Sequence, residues 1–130
     1  MPPRITSLDH LVLTVRDLQA SLDFYVGALG MEEVTFGAGR KALGLGGQKI
    51  NLHVAGHEFE PKADRPTPGS ADLCLVSESP LADWMEHLAG HGVAVIEGPV
   101  ARTGARGPIT SIYLRDPDAN LIEICNYLPA

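Results

Sequence analysis

The sequence predicts an α+β chain made of two tandem βαβββ modules, and three observations carry that prediction. The chain repeats itself: a shift of about 62 residues lays His10–Val15 on Asp72–Ser77, Asp17 on Ser79, Leu22 on Trp84 and Gly30 on Gly92. A shift about ten residues larger lays Lys49–Leu52 on Leu121–Ile124. Each half also reads as a strand, a capped helix, a glycine stop and further strands. A period near half the chain marks a duplicated domain rather than a solenoid.

The elements follow in order. Leu8–Val15 alternates and is rich in Leu and Val, which predicts a buried strand. Asp17 caps a helix whose Leu18, Leu22, Tyr25 and Leu29 share one face, and Gly30 ends it. Met31–Phe36, Lys41–Leu45 and Gln48–Val54 read as three strands. Ala55–Gly69, rich in Pro, Gly and charge, reads as the connector between modules of about 6–56 and 70–128, and its length predicts a role beyond linking them. The second module opens with a strand over Asp72–Val76. Ser79 then supplies an N-cap with Pro80 at the first helical position. Leu81, Trp84, Met85 and Leu88 form the buried helix face, stopped by Gly90 or Gly92. Val93–Ile96 starts the next strand, a glycine-rich loop spans Arg102–Pro108, and Ile109–Leu114 is a strand. Asp116–Asn120 is a turn, and Leu121–Tyr127 closes the chain.

At 130 residues, with 45% hydrophobic and 20% charged residues, the chain suffices for one compact domain, while each half alone would be marginal. The net charge of −6, with no Lys/Arg stripe, argues against nucleic acid and against an anionic membrane surface. No apolar run approaches the ~20 residues of a membrane span, and the first residues lack a signal-peptide core. The expectation is a soluble, cytoplasmic protein. Cys74 and Cys125 lie in strand-like runs and read as buried, inert thiols.

Several residues invite chemistry. His10 sits on an apolar strand, where a lone histidine is commonly a satisfied core residue. Glu123 lies between Ile122 and Ile124. A carboxylate in a buried strand is costly unless paired or metal-bound, although an outward-facing position would explain it cheaply. Arg102 and Arg106 stand among glycines. Arginine grips carboxylate or phosphate in a bidentate fork, so they are candidates for holding an anionic substrate, against the plain reading of a solvated loop. Alternation puts Ser111 and Tyr113 on one face. Asp116 and Asp118 belong to a turn, and His57, His87 and His91 read as surface residues.

Asp9–Val15, the helix end Phe24–Met31 and the stretch Asp116–Glu123 carry a resemblance to the vicinal oxygen chelate superfamily, which includes glyoxalase I, extradiol dioxygenases and bleomycin-binding proteins. It covers nearly the whole chain. Within the superfamily, Gln48–His53 through Phe59–Lys62 looks most like the glyoxalase domain-containing protein 5 group. The resemblance implies an open, cupped mixed sheet around a divalent metal ion, with iron(II), manganese, nickel and zinc as candidates. The family's ligand positions fall on His10, Asn51, Asp72 and Glu123. Asp72 stands where histidine is usual, and Asn51 where glyoxalase I has glutamate. His53 points to the same face as Asn51, about 6.5 Å further along, and is the alternative third ligand, reached by a small strand shift. The expected metal set is therefore His10, His53, Asp72 and Glu123, with Asp72 alternatively orienting a histidine. The resemblance further implies catalytic roles for Glu123, His53 and Tyr113, since Asn51 cannot take a proton. It implies a substrate contact from the Ser111–Tyr113 strand, and a homodimer, and Asn51, Arg102 and Arg106 complete the candidate substrate-binding residues. A glyoxalase-like isomerase or lyase is the activity expected. An extradiol-type dioxygenase and a non-catalytic, drug-sequestering binder are the alternatives.

Overall fold

The computed structural model describes residues 2–129 and divides the chain into two compact units, one ending at Thr67 and one beginning at Pro68. The first runs β1 (His10–Val15), α1 (Leu18–Leu22), β2 (Glu32–Phe36), β3 (Arg40–Leu45) and β4 (Gln48–Val54), with strand order β1-β4-β3-β2. The second runs β5 (Asp72–Val76), α2 (Leu81–Gly90), β6 (Glu97–Gly104), β7 (Gly107–Arg115) and β8 (Leu121–Tyr127), with order β5-β8-β7-β6. In each sheet the first strand pairs parallel with the last, and the other pairs are antiparallel. The α+β duplication expected from the repeat is the architecture found. No helix among the described residues is long and apolar enough to cross a membrane.

Strand register reproduces both repeat shifts. His10 faces Lys49 in the first unit and Asp72 faces Leu121 in the second, so His10 corresponds to Asp72 and Asn51 to Glu123. The extra residues of the second unit lie in the longer strands β6 and β7 and in the turn 116–120, where the first unit has only Gly46–Gly47. They are not held in a glycine-rich loop. Arg102–Gly104 belongs to β6 and Gly107–Pro108 to β7, leaving a hairpin turn at Ala105–Arg106.

Alternation gives each sheet two unlike faces. In the first unit Leu13, Val15, Leu43, Ile50 and Leu52 are buried, as are Leu22, Tyr25 and Leu29 of the helical segment. Asp17 caps α1 as expected, its Oδ1 accepting from the Ala20 amide at 3.0 Å. Past Leu22 the segment widens to a π-helical stretch, Asp23–Ala28, in which the Leu29 amide donates to the Phe24 carbonyl at 3.0 Å. The wider turn brings Phe24 and Ala28 into the core beside the predicted Tyr25 and Leu29. In the second unit Ile112, Leu114, Ile122 and Ile124 are buried, together with Leu81 and Leu88 of α2.

Three local expectations are corrected. Ser79 does not cap α2. Pro80 occupies that position without a side-chain bond, and the Leu81 amide donates instead to Asn126 Oδ1 at 3.0 Å. Asn126 Nδ2 donates to the Ser77 and Ser79 carbonyls, both at 2.9 Å, so one amide fixes the entry into the helix. Val93–Ile96 is not a strand: β6 begins at Glu97, and the pairing with β7 shifts between Glu97 and Val100. Gly98 sits in that bulge with φ +107, where a Cβ would run into the Ser111 carbonyl, so only glycine fits. Cys74 is exposed, while Cys125 is buried as expected.

Candidate functional site

The faces opposite the helices carry the polar residues. On the first sheet that face holds His10, Val12 and Thr14 of β1, Lys49, Asn51 and His53 of β4, and Arg40 of β3, since residues paired across strands point to the same side. The two-residue turn at Gly46–Gly47 sets β3 against β4, and Arg40 Nη2 donates to His53 Nε2 at 3.3 Å. An arginine can only donate. His53 is therefore the neutral tautomer with its hydrogen on Nδ1. Its pKa is lowered, first by burial and then by the Arg40 charge. Its ring also meets the edge of Phe59 at 5.5 Å between centroids.

His10 lies at the start of β1, exposed, with Nδ1 at 2.7 Å from Asp9 Oδ2. The register sets His53 against Thr14, four residues along from His10, or about 13 Å at ~3.3 Å per residue. That offset exceeds the small strand shift needed for both imidazoles to share an ion. Asn51 faces Val12, only two residues along from His10. It is 6% exposed, and its Oδ1 is buried without a hydrogen-bond partner. Beneath the 55–69 segment the first unit has a cavity of about 390 Å³, lined by Val12, Thr14, His53, Pro61, Lys62 and Pro66 among others.

On the second sheet the corresponding face holds Asp72, Cys74, Glu123, Cys125, Ser111 and Tyr113. Asp72 is exposed at the start of β5, and half-buried Glu123 faces both Cys74 and Tyr113. A cavity of about 360 Å³ is lined by Glu123, Cys74, Tyr113, Arg102 and Tyr127 among others. Arg102 Nε donates to the Tyr113 hydroxyl at 3.0 Å, and its Nη2 lies 3.4 Å from Glu97. The Tyr113 hydroxyl thus accepts from Arg102 and keeps its own hydrogen to give. Lost hydration, then Cys125 and Glu123, push the Cys74 thiol up to about 12, which removes it as a nucleophile near neutral pH. Ser111 is fully buried and its hydroxyl has no partner. Arg106 is exposed at the hairpin turn, its guanidinium 4.5 Å from the Tyr127 ring centroid and its amide donating to the Tyr127 hydroxyl at 3.1 Å.

Among the described residues, neither unit by itself arranges three His, Cys, Asp or Glu side chains so that they could hold a metal ion. Each does set a pair of oxygen or nitrogen donors two residues apart across its parallel strand pair, His10 with Asn51 and Asp72 with Glu123. The orphaned Asn51 oxygen fits a cation in need of a hard donor. His57, His87 and His91 are exposed, as expected of surface residues. Arg40 and Lys49 were not legible as site residues from the sequence. The signal for Arg40 lay in Gly46–Gly47, which fixes the hairpin register and so places Arg40 across from His53.

A duplicated βαβββ chain with paired donor positions on its parallel strands defines the class of small metal-site and ligand-binding folds described above. Residues 7–124 match the Glyoxalase/Bleomycin resistance protein/Dioxygenase superfamily, and the chain belongs to that family. It is 60% identical over 126 residues to the glyoxalase domain-containing protein RDO1 of Mycosarcoma maydis, covering 97% of this chain and 71% of that protein. It is 56% identical over 124 residues to the virulence protein STM3117 of Salmonella typhimurium, covering 95% and 86%. The crystal structure of that protein superposes with a TM-score of 0.94, at 55% identity over 97% of this chain and 100% of the other. Two remoter structures share the fold. One is lactoylglutathione lyase from Agrobacterium tumefaciens, with TM-score 0.72 and 22% identity over 96% and 95% of the two chains. The other is TnmS3, an antibiotic-binding protein from Streptomyces sp. CB03234, with TM-score 0.76 and 21% identity over 98% and 100%.

Proposed function

We propose that this chain is a divalent-metal-dependent enzyme of the vicinal oxygen chelate type, a glyoxalase-like isomerase or lyase acting on a small oxygenated substrate. The observation that carries the reading is the buried Asn51 oxygen without a partner. It stands at the family's ligand position on β4, with His10 and Glu123 at two further positions and Asp72 at the fourth. Iron(II), manganese, nickel and zinc remain the candidate ions, and a donor set richer in oxygen than in nitrogen favours manganese or iron(II). When bound, such an ion supplies Lewis-acid polarisation of two neighbouring substrate oxygens.

The chain's own residues divide the remaining work. Asn51 would offer its unpartnered Oδ1 to the ion and cannot take a proton. His53 is unsuited to the base role while Arg40 occupies its Nε2, so it serves as a neutral hydrogen-bond donor. Glu123 is then the proton acceptor, and Tyr113, directly across β7 and β8 from it, donates its hydroxyl hydrogen to a substrate oxygen. Pairing into a homodimer, a cytoplasmic location and the finer likeness to glyoxalase domain-containing protein 5 belong to the same reading.

Elemental mass spectrometry on protein purified without an affinity tag tests it. Near-stoichiometric metal in the wild type, lost in both His10→Ala and Glu123→Ala, is the expected result. A wild type that is empty and also refuses added divalent ions would overturn the reading in favour of a non-catalytic binder. Iron accompanied by oxygen consumption would instead select the dioxygenase alternative.

A further inference from the structure

The first unit holds cationic side chains that its own carboxylates leave uncountered. The Arg40 guanidinium lies 5.0 Å from the Phe36 ring centroid and 4.1 Å from that of Phe59, over two aromatic groups. It gives one hydrogen bond, to His53 Nε2, while its own Nε is buried with no partner. Among the described residues no Asp or Glu comes within ion-pair distance of it. Lys49 repeats the pattern: its Nζ sits 3.7 Å from the Phe36 centroid, again with no carboxylate partner. Glu58 accepts from the Gly56 amide at 2.9 Å, and its charge is felt by Lys62 and His53. On the opposite face of β3, Lys41 is paired with Glu33 at 2.8 Å, so the missing partners belong to this one face.

A guanidinium lying over rings loses water, and the cation–π attraction returns part of that loss. Its directed N–H groups still require acceptors, and a donor left unmade in a buried place is costly. The protein supplies a single imidazole nitrogen. On the other side of His53, the 390 Å³ cavity presents donors from His53 and Thr14, and apolar walls from Val12, Pro61 and Pro66, while Lys62 at its edge is already paired with Glu60.

We propose that this face of the first unit is an oxyanion subsite, in which Arg40 pairs with the carboxylate or phosphate group of a small substrate whose short apolar body lies against Val12 and the two prolines. Phe36 and Phe59 hold the guanidinium plane so that its fork meets the two oxygens together. Neutral His53 adds a donor without adding charge, and Lys49 provides the field that draws an anion in. The proposal deepens the proposed function by giving the substrate its charge.

The experiment follows the Arg40 side-chain Nε–H signal by ¹H–¹⁵N NMR while wild-type protein is titrated with sodium acetate, with sodium phosphate, and with sodium chloride at matched ionic strength. The expected result is a saturating shift with acetate or phosphate at roughly millimolar concentration, absent with chloride. The arm that saturates first names the group. Arg40→Lys, which keeps the charge and loses the fork, should weaken binding by about tenfold, read at the His53 ring signals. Arg40→Met should abolish it. An Arg40 signal that moves no further in acetate or phosphate than in chloride overturns the subsite, and so does an Arg40→Met variant that still binds like the wild type. Metal content is not part of this readout. A saturating shift in protein that holds no metal upholds the subsite and counts only against the metal reading. Metal-loaded protein with a silent Arg40 does the reverse.

Discussion

The two units share a strand order and a parallel register, yet their polar faces carry opposite inventories. The first holds His10, Asn51, Lys49, Arg40 and a neutral His53, and among the described residues neither Arg40 nor Lys49 has a carboxylate partner. The second holds Asp72 and Glu123, and its one cavity arginine, Arg102, is tied to Tyr113 and Glu97. Duplication fixed where side chains stand, because register is a property of the strand pair. It left free what those side chains are. Equivalent positions have therefore diverged into a nitrogen-and-amide set on one side and a carboxylate set on the other, which is what a function drawing different work from each copy requires.

The turns differ as well, and the largest effect expected outside the site follows from that. Between β3 and β4 the chain turns in two residues. Between β7 and β8 it uses Asp116–Asn120, where Asp116 Oδ1 accepts from the Asp118 and Asn120 amides at 2.9 Å and Oδ2 accepts from Asn120 Nδ2 at 2.7 Å. Asn120 Oδ1 in turn accepts from the Ala71 amide at 2.8 Å, fastening the turn to the approach to β5. Asp116→Ala should cost on the order of 3–5 kcal/mol in denaturant unfolding, since it strips three bonds from a buried carboxylate network. Thr35→Ala on β2 of the first unit, which loses only an exposed bond from Lys41 Nζ, should cost well under half of that. Equal losses would show that burial of the Asp116 network adds nothing.

A smaller effect concerns pH and belongs to the first unit. His53 is depressed in the folded protein, so below about 6.5 the unfolded chain takes up a proton that the folded chain refuses. Stability should therefore fall as pH drops from about 6.5 toward the folded pKa, then stop falling on this account. His53→Gln should flatten that slope in unfolding measured between pH 7 and 5. An unchanged slope would mean that His53 is not held neutral. The smallest effect returns to the second unit's turn. Ala119 has φ +66, a region that costs a side-chain-bearing residue about 1–2 kcal/mol, against a glycine penalty of about 0.5–1 kcal/mol in the unfolded chain. Ala119→Gly should thus be neutral to slightly stabilising, by up to about 1 kcal/mol. A clear loss would show the strain to be compensated elsewhere.

The frame of the fold was legible because repetition and alternation are written along the chain. The Leu and Val of β1, the Asp17 cap, the apolar faces of both helices and the Asp116–Asn120 turn each signal locally. The start of β6 was not legible. Val93–Ile96 is as apolar as a strand, but pairing begins only at Glu97 and breaks at a bulge that depends on Gly98 meeting the Ser111 carbonyl. The Asn126 cap likewise depends on a partner distant in sequence. Within the site, His10, Asn51, Asp72 and Glu123 stood out because the family's ligand positions fall on them, although the metal set expected from the sequence took His53 in place of Asn51. Arg40 did not, because its meaning lies in Phe36, His53 and Phe59, which reach it only across two hairpins and a connector.

The central claim is that the register, rather than residue type, selects the metal donors, so that Asn51 and not His53 joins His10. Crystals grown with manganese and measured for its anomalous signal test this most directly. The predicted result is a peak within coordination distance of both His10 and Asn51 Oδ1, with His53 still bonded to Arg40. A peak on His53, or none on the polar face of the first unit at saturating manganese, would contradict it.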